Sequence, residues 1–73
     1  MSAIETTRQS PSLSTQDVAL LALLAEGLPI DAVGRRLQLS GRTVRRRTRS
    51  ICEQLGVQAP IQAVVWAAHH GLV

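Results

Sequence analysis

No lysine, tyrosine or phenylalanine occurs among the 73 residues. Trp66 is the single large aromatic, so a core has to be assembled from Leu, Val, Ile and Ala. A domain this small and this aliphatic is marginally stable and has little room for a buried catalytic cleft. Cys52 stands alone, which excludes an internal disulfide and suits a reducing compartment. Acid is missing where it would matter most: none lies between Asp31 and Glu53. Long apolar runs are scarce as well. VALLALLA, residues 18–25, is far short of the roughly 20 residues a bilayer requires. The segment before it carries Glu5, Arg8 and Asp17 and lacks the positive start of a secretion signal. The run therefore reads as the buried part of a helix in a soluble, cytoplasmic protein.

What the chain does have is arginine. It accounts for all eight basic residues, and seven of them lie from Arg35 to Arg49. The net charge is +3. The stretch LSGRTVRRRTRS, residues 39–50, contains Arg42, Arg45, Arg46, Arg47 and Arg49 with no acid to pair them. Such a block can be a disordered tail or a solvated face, and periodicity decides between these and a binding surface.

Residues 1–12, MSAIETTRQSPS, are polar and aperiodic and read as a flexible arm or linker stub; residues 13–73 read as the folded domain. Ser14 with Asp17 three residues on forms a capping-box pattern, and Leu13 can staple onto the first turn. Leu20, Leu21 and Leu24 recur at helical spacing until Gly27. Pro29 suits the first position of a second helix running to about Gln38, with Val33 and Leu37 facing inward. Ser40 is a good N-cap for a third helix over 40–55, which Gly56 closes. A fourth helix spans about 60–70, from Pro60 to the residue before Gly71. Four short helices with tight connections and no strand candidate make the fold all-α.

On a helical wheel at about 100° per residue, Thr48, Ile51 and Leu55 fall within about 40° of Val44. Arg42, Arg45, Arg46 and Arg49 share an arc of about 100° on the other side. Arg47 lies near the edge of the apolar stripe, from which a long side chain can snorkel. A helix about 10–12 Å across fits the major groove of B-DNA. Guanidinium groups fork onto guanine O6 and N7 or pair with phosphates, and the helix N-terminus at Ser40 adds donors for a phosphate. A purely solvated face more often mixes acid and base for i,i+4 pairing. The expectation is double-stranded DNA binding, and an all-arginine reading face favours a G-rich half-site.

In sequence the chain resembles the LuxR-type (GerE) helix-turn-helix domain from Leu13 to Leu72. The resemblance is carried by LSTQDVALLALLAEGL, VGRRLQLSGRTVRRR, ICEQLGV and AVVWAAHHGL, in order and without a gap. It implies a tetrahelical helix-turn-helix fold in a transcription regulator, with the third helix as recognition helix. It further implies that Arg45, Arg46 and Arg49 face base edges while Arg42, Thr43 and Arg47, beside Ser40, hold phosphates. Arg47 replaces the family's usual His, and Ala59-Pro60 replaces a frequent Asn-Arg, so the target sequence is expected to differ. Gly34 stands at a small-residue position where the second and third helices approach.

The same resemblance makes the fourth helix a dimer interface, with Val65, Trp66 and His69 pointing to its side, and a homodimer on DNA the expected partner state; the other reading of Trp66 is that it caps the core. A competing reading makes this helix a docking surface for RNA polymerase or a second regulator, and a promoter reader of the sigma-factor region-4 type is a closer rival. Adjacent His69 and His70 point about 100° apart, so with Cys52 they form no metal site and read as solvated helix-end residues. No phosphate loop and no catalytic triad can be assembled, so neither enzyme activity nor a cofactor is expected.

Overall fold

The computed structural model describes residues 13–73. The arm read at residues 1–12 lies outside them. The described residues form four helices and no strand: α1 Thr15–Ala25, α2 Ile30–Leu37, α3 Gly41–Leu55 and α4 Pro60–His69. The fold is all-α, as the periodicity predicts.

Each helix start follows from its capping chemistry. Ser14 Oγ accepts the Asp17 N–H at 3.0 Å, and Asp17 Oδ2 accepts the Ser14 N–H at 3.2 Å, completing the capping box. Leu13, half-buried, packs onto the core beside it. Pro29 is displaced by one position from the sequence expectation. It is the N-cap of α2, extended at φ −69° and ψ 162°, and its carbonyl accepts the Val33 N–H at 3.0 Å. A proline has no side-chain acceptor, so α2 begins without a side-chain cap. At α4, Pro60 takes the first helical position and holds Ala59 extended. Gln62 Oε1 then reaches back to accept the Gln58 and Ala59 N–H groups, both at 2.9 Å.

All four helices end in the same way. A residue with positive φ is followed by an apolar residue whose N–H bonds five positions back: Leu28 to Leu23, Leu39 to Gly34, Val57 to Cys52 and Leu72 to Ala67. The left-handed residue is Gly27, Gly56 or Gly71 in three cases; in the fourth it is Gln38, at φ 60° and ψ 42°. A side chain there strains the backbone, whereas glycine does not. Gln38→Gly is therefore expected to stabilise the domain by about 0.5–1 kcal/mol, net of glycine's greater unfolded-state freedom. A rise in the urea midpoint checks this, and a fall would show that the Gln38 side chain contributes contacts outweighing its strain.

The core is the apolar seam of α3 closed in by the other helices. Leu20, Leu21, Val33, Val44, Ile51, Ala63 and Ala67 are fully buried, and Thr48 joins them. The Thr48 hydroxyl donates to the Val44 carbonyl at 2.7 Å, which removes the cost of burying it unpaired. Cys52, which the sequence suggests only as a free thiol, belongs to this core. Burial, and secondarily the Glu53 carboxylate, push its thiol above the ordinary range and make it a poor nucleophile. Ala63 and Ala67 are small enough to let α4 lie against the core at close range.

Trp66 is half-buried against the core, and its ring stacks on His70 at 3.8 Å between centroids. His70 Nδ1 lies 2.8 Å from the Trp66 carbonyl. His69 is exposed as expected, but His70 is more than a solvated helix-end residue: it covers the tryptophan. Among the described residues, no helix is long and apolar enough to cross a membrane.

Candidate nucleic-acid interface

α2 and α3 are joined by a three-residue turn, 38–40, and the turn is tight because Gly34 is buried against it. A Cβ at Gly34 would stand 2.5 Å from the Leu39 carbonyl oxygen and 3.5 Å from Val44 Cγ2. The absence of a side chain there sets how closely α3 is held to α2.

Ser40 caps α3 as expected. Its Oγ accepts the Thr43 N–H at 3.1 Å, and its hydroxyl donates to Thr43 Oγ1 at 3.0 Å. That relay uses the Ser40 hydroxyl within the protein and leaves the Thr43 hydroxyl proton as the outward donor. No acid lies in the first turn of α3, so the positive end of the helix dipole is not neutralised from within the helix.

Beyond the cap, Arg42, Arg45, Arg46 and Arg49 are all exposed and together line a cleft of about 360 Å³. Placing four permanent cations side by side raises the local potential and favours a polyanion over a solvated state. Arg47 is half-buried on the other flank of the helix. The structure thus brings together the three expected base-reading residues with Arg42, and sets Thr43 and Arg47 apart from them.

A second recess, of about 380 Å³, adjoins the first and shares Arg45 and Arg49 with it. Ile30, Thr48, Cys52, Gln58 and Pro60 complete its lining. Ile30, Gln58 and Pro60 were not foreseen as neighbours of the arginine face, because only the crossing of α2 and α4 over α3 puts them there. Among the described residues, no group of three or more His, Cys, Asp or Glu side chains is placed to hold a metal ion.

On the outer side of α4, Ile61 is 65 % exposed and Val65 49 % exposed. His69 lies on the same side, eight residues after Ile61 and four after Val65. Trp66 is half-buried against the core, the second of the two placements the sequence allows. Ile61 went unremarked in the sequence, although it is the most exposed large apolar residue described.

A capped, cationic helix held by a short turn against a second helix, and braced by two more, defines a tetrahelical helix-turn-helix domain. The chain belongs to the luxR family of bacterial regulatory proteins, whose family model matches residues 11–67. Members of that family are DNA-binding domains of transcription regulators, not enzymes. No curated protein matches the chain significantly.

Proposed function

We propose that the protein binds double-stranded DNA sequence-specifically to regulate transcription, with α3 lying in the major groove. The observation that carries this reading is the single face of four exposed arginines on α3, opposite its buried seam and unopposed by acid from residue 32 to 52. Arg45, Arg46 and Arg49 read base edges, favouring guanine in the half-site. Arg42 and Arg47 hold phosphates, together with the Thr43 hydroxyl and the amide end of α3 that Ser40 caps.

Ile61, Val65 and His69 on α4 form the surface through which two copies pair, Trp66 supporting it from beneath. A row of exposed apolar side chains on an outer helix supports pairing. Two copies would require half-sites related by a two-fold axis.

The test is selection of bound duplexes from a random pool, followed by a salt titration of the selected site. The expected outcome is enrichment of a two-fold symmetric, G-rich site whose affinity falls steeply with salt. In the same assay Arg47→Ala is expected to weaken all duplexes alike and to flatten the salt dependence by about one unit of slope. A pool that emerges unenriched, with retention only on acidic proteins, would replace this reading with that of a protein-interaction module.

A further inference from the structure

Gly41 opens α3, and its missing side chain leaves room that two opposite charges approach from different helices. A methyl group there would lie 3.2 Å from Asp31 Oδ1 and 3.7 Å from Arg45 Nη1. Asp31 is an exposed residue in the first turn of α2, and its carboxylate reaches the start of α3 because the short turn brings the two helices together. α3 brings no acid of its own to this end. The anion beside the first turn of the arginine helix therefore comes from α2, and it borders the space at Gly41 that one of the three arginines assigned to base reading also borders.

We infer that Asp31 is a specificity-determining residue whose carboxylate, beside the Gly41 space that Arg45 also borders, offsets positive charge there and repels phosphates from the start of α3. The inference rests on the DNA-binding reading above. Every duplex offers the same phosphates, so a guanidinium with no carboxylate near it gains affinity for all sequences equally. A carboxylate alongside offsets part of that charge and opposes the approach of a second anion. Guanine O6 and N7 are uncharged acceptors and meet far less opposition, so Arg45 is left to distinguish bases. The cost is affinity overall; the gain is the ratio between right and wrong sites. Gly41 is part of the device, since any side chain there crowds the carboxylate.

The experiment compares the intact chain with Asp31→Asn, Asp31→Glu and Gly41→Ala on the selected duplex and on a random-sequence duplex, across a range of salt. Asp31→Asn is expected to raise affinity for the random duplex about fivefold and to steepen its salt dependence by about one unit, because Arg45 now counts toward counterion release. Discrimination between the two duplexes falls by a similar factor. Asp31→Glu restores much of it, and Gly41→Ala moves the same way as Asp31→Asn. Loss of stability cannot imitate a gain of affinity, and a thermal melt of each variant records any such loss separately. If the wild-type chain discriminates but Asp31→Asn leaves both the ratio and the slope unchanged, the role assigned to Asp31 is overturned. If the wild-type chain holds no duplex at all, the parent reading is overturned and this one with it.

Discussion

Replacing Gly34 with leucine is expected to abolish the cooperative thermal transition of the domain. The new Cβ would stand 2.5 Å from the Leu39 carbonyl oxygen, a distance real contacts do not adopt, with Val44 Cγ2 just behind it. Leu39 cannot simply retreat, because its own N–H is bonded to the Gly34 carbonyl at 2.8 Å and closes α2. Relief requires opening that closure and lifting α3 away from α2. Overpacking of this kind, with a backbone bond broken as well, costs about 4 kcal/mol or more. A domain of this length is held by only about 3–9 kcal/mol. Gly34→Ala, which adds the Cβ alone, should cost about 1–3 kcal/mol and leave a lower but still cooperative melt. Helical circular dichroism on heating checks both variants, and a leucine variant that melts like the parent would refute the packing account of the turn.

The second large effect separates function from stability. Arg46→Glu combined with Arg49→Glu is expected to lower duplex affinity by about a thousandfold at low salt, and to abolish the preference for the selected site. Both side chains are exposed, and neither contributes to the core. Relief of like-charge crowding on α3 should leave the melting temperature unchanged or slightly higher. Binding within tenfold of the parent would show that this face does not meet the duplex. Together with Gly34→Leu, the pair distinguishes residues that hold the recognition helix in place from residues that use it.

Much of this architecture was legible from residue order because it is decided locally. Ser14, Ser40, Pro60 and the glycines at 27, 56 and 71 mark helix ends through hydrogen bonds that span only a few residues. The seam of Val44, Thr48 and Ile51 follows from helical period alone. What escaped was set by how the helices cross. Cys52 lies to one side of the seam on the wheel, and it is buried because neighbouring helices cover that flank. Whether Trp66 points to the side of α4 or caps the core is not decided by helical period; it packs against the core with its ring stacked on His70. Asp31 and Arg45 border the same space at Gly41 from positions well apart in the chain, which depends on the tightness of the turn at Gly34. Gln38 was hidden for a different reason: nothing in its residue type announces a left-handed conformation, which the flanking bonds from Leu39 to Gly34 and from Gln38 to Arg35 impose.

The outer face of α3 has a chemical consequence that follows from its composition alone. A guanidinium stays protonated at every pH a cell experiences, and it offers acetyl-transferring enzymes no amine to neutralise. The four guanidinium groups of that face therefore hold their charge against modification by acetylation. Rising ionic strength or a rival polyanion is what weakens the pull of such a face on any one anion.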